Sequence, residues 1–200
     1  MAKIQIQSLV LGMVATNVFF LQNADTKELI VIDPADRADV IGRKIGEMEG
    51  KPVGILLTHA HFDHIYGLPA LLEHYPETKV IVSAYTKEAL ASAKLNMSKY
   101  HGTPIEYTGD NVMVVREGES LRLFEGEPEM VLYETPGHNP GCLTMVLGDL
   151  IFTGDAYIPG VGANTRLPRA DKALAQQSLE RILKLAEGKQ VLAGHWIEEM

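Results

Sequence analysis

Two rhythms of apolar residues organise the chain. Short apolar or alternating runs from Lys3 to Leu11, Val18 to Gln22 and Glu28 to Asp33 predict three strands, with Asn23-Ala24-Asp25 supplying turn chemistry between the last two. Asp36 to Met48 carries Val40, Ile41, Ile45 and Met48 at helical spacing, and Gly50-Lys51-Pro52 ends that helix. Val53 to Leu57 reads as a buried strand, followed by a helix around Leu68 to His74, a strand from Lys79 to Ser83 and a helix from Thr86 to Leu95. Asn96 to Asp110 is polar and irregular. Strands then follow at Val112 to Val115, Ser120 to Phe124, Glu129 to Glu134, Cys142 to Leu147 and Leu150 to Thr153. Ala170 to Ala186 is the clearest helix, with Leu174, Leu179, Ile182, Leu183 and Leu185 apolar and Gly188 past its end, and Val191 to Ala193 is a last strand. The order βββα, βαβα, many strands, αβ predicts an α/β (α+β) chain of two packed sheets with helices outside, one domain over residues 1–200.

Composition narrows the function classes. With 46% hydrophobic and 22% charged residues in 200, the chain can bury a substantial core without staples. A formal charge of −8 argues against a nucleic-acid partner, which calls for clustered Lys and Arg, but leaves room for a small anionic substrate at a local patch. Cys142 is the single cysteine, so no intramolecular disulfide forms, and its place leading into a strand gives it a packing role. The apolar stretch Leu9 to Leu21 is broken by Thr16-Asn17, lacks a basic start and is too short to span a bilayer. It reads as two strands of a meander, and the expectation is a cytoplasmic protein without a membrane partner.

Chemistry concentrates in Thr58-His59-Ala60-His61-Phe62-Asp63-His64, directly after an apolar strand. Three more polar residues repeat the arrangement: His138 in Pro136-Gly137-His138-Asn139-Pro140-Gly141, Asp155 in Phe152-Thr153-Gly154-Asp155, and His195 in Leu192-Ala193-Gly194-His195. Residues at strand ends on glycine-anchored turns are the usual carriers of function in layered folds. Imidazole and carboxylate donors suit zinc, iron or manganese, and five His with two Asp exceed what one tetrahedral ion uses. Two divalent ions sharing a bridge are the natural fit, and hydrolysis is the leading reaction type. His74 and His101 are read as ordinary loop or surface histidines.

The motif His59-Ala60-His61-Phe62-Asp63-His64, followed in order by His138, Asp155 and His195, resembles the metallo-β-lactamase superfamily over nearly the whole chain. Within it the sequence looks most like small bacterial glyoxalase II-like hydrolases, a placement supported by Lys94-Leu95-Asn96-Met97-Ser98 and Gly118-Glu119-Ser120-Leu121. The resemblance implies a four-layer αββα sandwich. It implies that His59, His61 and His138 hold one metal, that Asp63, His64 and His195 hold the other, and that Asp155 bridges them. Zinc is the expected metal, and Asp63 and Asp155 are the expected catalytic carboxylates. Asp33 and Thr58 are expected to support the ligands or the structure. Glyoxalase II proper carries a further C-terminal helical region that helps bind glutathione thioesters, and the Gly162 to Arg169 stretch departs from the pattern of the small relatives. Whether Arg166, Arg169, Tyr66 or Tyr157 meet substrate stays open.

The resemblance therefore implies a metal-dependent hydrolase of a small ester or thioester. A lactonase is a near neighbour. A β-lactamase is less favoured, because the zinc classes usually lack a bridging Asp, and an RNA-processing nuclease is disfavoured by the acidic balance. A mononuclear-iron persulfide dioxygenase, using His59, His138 and Asp155 alone, is the alternative from another reaction class. A non-catalytic metal-bearing module is disfavoured by the intact ligand set.

Overall fold

Alternation gives the first half of the chain a sheet with two buried faces. In the computed structural model, which describes residues 4–196, β1 (Ile4–Leu11), β2 (Thr16–Asn23) and β3 (Glu28–Ile32) form an antiparallel meander. Lys3, the predicted start of the first strand, lies outside the described residues. β4 (Lys51–Leu56), β5 (Lys79–Ser83) and β6 (Val112–Val115) extend the meander as parallel strands, giving a six-stranded sheet in the order β1-β2-β3-β4-β5-β6. Successive residues of a strand point to opposite faces. Val18, Phe20, Leu29, Val31 and Ile55 therefore pack outward under α1 (Ala38–Glu47), α3 (Leu68–His74) and α4 (Ala84–Leu90), with Ile41, Ile45, Leu68, Leu71 and Leu90 closing that core. Phe19, Leu21, Ile30, Ile32 and Leu56 point inward.

The inward face meets the second sheet, whose strands are β7 (Ser120–Leu121), β8 (Met130–Glu134), β9 (Leu143–Leu147), β10 (Leu150–Gly154) and β11 (Gln190–Ala193). Its order is β11-β10-β9-β8-β7, antiparallel except for the parallel β10–β11 pair. Met130, Leu132, Leu143, Met145 and Phe152 fill the space between the sheets, and the Phe152 ring meets Phe19 edge-on at 5.4 Å. α5 (Lys172–Leu185) covers the outer face through Ile182, against Ile151, Ala156 and the buried Cys142. The result is the expected αββα layering. No helix among the described residues is long and apolar enough to cross a membrane.

Several boundaries differ from the sequence reading for local reasons. The helix expected from Thr86 starts at Ala84, because the Ser83 hydroxyl at the strand end accepts the Thr86 N–H and caps it. It ends at Leu90 rather than Leu95, where the Asn96 side chain donates to the carbonyls of Ala89 and Ile105. The predicted strand Ser120 to Phe124 keeps only Ser120–Leu121; Leu123 and Phe124 still enter the inter-sheet core, from a loop. On α5 the buried residues are Ala175, Ser178 and Ile182, while Leu174 and Leu183 are exposed. That face is selected by the loop beneath it. The Ser178 hydroxyl donates to the Pro136 carbonyl at 2.6 Å, and Gly137, at φ 142°, lies so close to Ala175 that a Cβ there would be 2.3 Å from its backbone.

Candidate metal centre

The seven predicted residues come from four strand ends and meet at one edge of the two sheets. β4 runs into the loop bearing His59 and His61, and a short helix α2 (Phe62–Ile65), absent from the sequence reading, carries Asp63 and His64. His138 follows β8, Asp155 follows β10 and His195 follows β11. Gly154 makes the turn at Asp155 with φ 48°, and a Cβ there would sit 2.6 Å from Thr58, so only glycine lets β10 approach the histidine loop this closely.

Three ligand-sized groups form. His59, His61 and His138 bring ring nitrogens within 4.8 Å of one another; His59, His64 and Asp155 do the same; so do Asp63, His64 and His195. Asp155 stands between the halves, with Oδ2 at 3.4 Å from His138 Nε2 and 3.1 Å from His195 Nε2, and Oδ1 at 3.4 Å from His64 Nε2. Asp63 Oδ2 lies 3.4 Å from His195 Nε2 and 3.5 Å from His64 Nε2, and the Thr16 hydroxyl donates to it. His61 Nδ1 and His138 Nε2 are 2.9 Å apart.

The outer nitrogens are held in place. His64 Nδ1–H donates to Asp33 Oδ2 at 2.9 Å, and the Thr58 backbone N–H and hydroxyl donate to the same carboxylate at 2.8 and 2.6 Å. His59 Nδ1 is 3.2 Å from the Thr58 hydroxyl oxygen, which ties a second histidine to Asp33. His138 Nδ1–H donates to the Asn164 carbonyl and His195 Nδ1–H to the Val14 carbonyl, each at 2.9 Å. Such partners fix the tautomer and aim Nε2 at the centre. The Asn139 amide nitrogen lies 3.1 Å from His61 Nε2. Asp33 and Thr58 thus take the supporting place expected of them. The backbone acceptors on Asn164 and Val14 carried no sequence signal, because any residue supplies a carbonyl.

Electrostatics sort the imidazoles into two kinds. Burial, reinforced by the neighbouring rings, holds His59 well below the usual imidazole range; burial and His138 take His61 down to about 3; burial also lowers His138. His64 is equally buried, but the carboxylates of Asp63, Asp155 and Asp33 together outweigh burial and raise it. Burial opposes the charge on His195 as well, and its hydrogen bond to Asp155 prevails. Asp155 is correspondingly held well below the usual carboxylate range by His64 and His195, against its own burial. His59 Nε2, His64 Nε2 and Asp155 Oδ1 are all buried without a hydrogen-bond partner. Buried orphaned groups of this kind are rare, and their convergence fits divalent cations held among them.

Of the residues left open in the sequence, Tyr66 lines the cleft beside the centre, and Tyr157 packs on the outer core beneath α5. Arg166 and Arg169 are exposed and line neither the cleft nor the cavity at the centre. His101, read as an ordinary histidine, stacks on Phe62 of the motif loop with ring centroids 4.1 Å apart and planes within 7°.

A family model described as the metallo-beta-lactamase superfamily matches residues 11–195. The "Probable metallo-hydrolase YqgX" of Bacillus subtilis (strain 168) is 31% identical over 188 residues, covering 92% of this chain and 86% of that protein. A hydroxyacylglutathione hydrolase of Salmonella gallinarum is 28% identical over 179 residues, 90% of this chain, and the match spans only 61% of that relative's length. The solved structure of the BLEG-1 B3 metallo-beta-lactamase superposes with a TM-score of 0.85 at 29% identity, covering 96% of this chain and 92% of that one. Every member of the seven-residue cluster falls within the matched span, and the chain belongs to the metallo-beta-lactamase superfamily.

Proposed function

We propose that the protein is a hydrolase of small esters or thioesters, glyoxalase II-like in its chemistry, with a dinuclear site that takes zinc. The carrying observation is the position of Asp155, whose carboxylate reaches His138 of one group and both His64 and His195 of the other. His59, His61 and His138 would hold one ion, and Asp63, His64 and His195 the second, with Asp155 shared. When bound, the ions supply Lewis acidity toward a carbonyl oxygen and lower the pKa of water toward ~7.

The protein's own groups do the rest. Burial keeps His59, His61 and His138 neutral, with lone pairs available as ligands. Asp33, Asn164 and Val14 fix three of the rings by accepting their Nδ1 protons. Asp155 stays ionised between the two histidine groups. Asp63, less buried than Asp155 and oriented by the Thr16 hydroxyl, is placed to take the proton that the attacking water gives up. One water is consumed per acyl group, releasing a carboxylic acid and an alcohol or thiol. The partner is a small molecule rather than a nucleic acid or a membrane, and we place the protein in the cytoplasm.

Elemental analysis of protein purified without added metal, paired with turnover of S-lactoylglutathione, tests this reading. About two zinc ions per chain with turnover is the expected result. Two metals with no turnover would leave the hydrolase and remove that substrate. One iron per chain with oxygen uptake on a glutathione persulfide would replace the reading with a dioxygenase, and nitrocefin cleavage as the dominant activity would replace it with a β-lactamase.

A further inference from the structure

The walls around the centre specify more than the reaction. A cleft of about 820 Å³ opens between the β1–β2 tip at Gly12-Met13-Val14, the outer side of α3 and the 101–106 segment. A smaller cavity of about 350 Å³ contains His61, His138, Asp155 and His195, and the two share Val14, Phe62, Asp63 and His101. The cleft is therefore continuous with the centre and offers space to the part of a substrate that does not react.

Its charge is one-sided. Away from the candidate ligand Asp63, the carboxylates of Asp36, Glu73 and Glu106 line it, and no Lys or Arg among the described residues lines either cavity. Arg37, beside Asp36 in the chain, is engaged with Asp39, as is Arg43. The formal charge of the whole chain, −8, has the same sign. The rest of the wall is aromatic: Phe62 stacks on His101, and Tyr66 meets Phe62 edge-on at 5.6 Å. The Tyr66 hydroxyl is buried with no hydrogen-bond partner, which leaves it free to pair with an occupant of the cleft.

We infer that the non-reacting arm of the substrate is uncharged or cationic, lies against Phe62, His101 and Tyr66, and is selected against carboxylates by Asp36, Glu73 and Glu106. The inference rests on the hydrolase reading above and deepens it: a glutathione thioester such as S-lactoylglutathione is turned over, but its arm, with two carboxylates against one ammonium, makes it a weaker substrate than a thioester with a neutral or cationic arm. Placing like charges together in one cleft opposes binding, and mobile ions screen that opposition.

Three acetyl thioesters separate the arms with the same reacting group: anionic S-acetylglutathione, neutral S-acetyl-N-acetylcysteamine and cationic acetylthiocholine. With metal-loaded protein at low ionic strength, kcat/KM for the neutral and cationic thioesters is expected to exceed that for S-acetylglutathione by about tenfold or more, the gap narrowing as salt is raised. The charge reversals Glu73→Lys and Glu106→Lys are expected to shift the ratio toward S-acetylglutathione. Both glutamates are exposed, and metal content and melting temperature report whether the variants fold. A wild-type preference for S-acetylglutathione, or a ratio that neither reversal moves, overturns the inference and leaves the hydrolase standing. Hydrolysis of none of the three removes the hydrolase reading and this inference with it.

Discussion

Asp33 shows how one side chain can govern a site it does not join. Its carboxylate accepts from His64, from the Thr58 hydroxyl and from the Thr58 backbone, so three elements of the histidine loop hang on one residue. Asp33→Asn keeps the volume but puts an NH2 where an acceptor is needed. Metal affinity in a chelator competition is expected to fall by about 10- to 100-fold, in line with the loss of a supporting partner to a metal-binding histidine; unchanged affinity would remove Asp33 from that role. Cys142 makes the opposite case, a reactive residue type with no chemistry to do. It is buried beneath α5, and burial pushes its thiol well up from the ordinary value. The native protein is therefore expected to resist iodoacetamide at pH 8.5 and to react once unfolded in guanidinium. The raised native pKa contributes stability below the ordinary thiol value of about 8.5, and that contribution is lost as pH climbs beyond it. Denaturation midpoints measured from pH 8 to 10 should fall more steeply for wild type than for Cys142→Ala.

At the scale of elements, the site loops and the helices fix each other. The Asp171 carboxylate accepts the N–H groups of Ala173 and Leu174 at the start of α5, while its backbone N–H donates to Gly137 beside His138. Asp171→Ala is expected to lower stability by about 1 kcal/mol, the usual contribution of a helix N-cap. A urea midpoint equal to wild type would show that the cap contributes nothing here. Periodicity located α5 but not the face it buries. Leu174 and Leu183 look like core in the sequence and are exposed, because Gly137 and the Pro136 carbonyl seat Ala175 and Ser178 against the sheet. The short helix at Phe62–Ile65 escaped the reading for another reason: four residues are too few for a hydrophobic period, and the run of His and Asp hides what pattern there is.

Across the whole molecule the cluster joins the two sheets. His59, His61, Asp63 and His64 come from the loop after β4, whereas His138, Asp155 and His195 come from the ends of β8, β10 and β11. The polypeptide adds its own tie: the Asn17 backbone and side chain donate to Gly194 and Ala193, and the Trp196 N–H donates to Ala15, which draws the β1–β2 tip against the last strand. Ions held by ligands from both sheets would act as cross-links present only in the native state. At a free metal concentration near 1,000 times Kd, that linkage is worth about 4 kcal/mol for each ion, or about 8–16 °C in melting temperature per ion for a chain of this length. Exhaustive chelation is accordingly expected to lower the melting temperature by about 10 °C or more, with recovery on adding back zinc. A melting temperature indifferent to chelation would deny the cluster any such role.

The sequence by itself determined the layer order and the seven residues that converge. Strand and helix periods are local properties of the chain, and His59-Ala60-His61-Phe62-Asp63-His64, Gly137-His138, Gly154-Asp155 and Gly194-His195 each announce themselves within a few positions. Tertiary structure alone decided which backbone carbonyls orient His138 and His195, which face of α5 is buried, and that His101 stacks on Phe62. It alone decided that Asp36, Glu73 and Glu106 share one cleft with no cation beside them. Those partners are far apart in the chain, and a carbonyl or an exposed carboxylate carries no residue-type signal of whom it will face once the two sheets have closed.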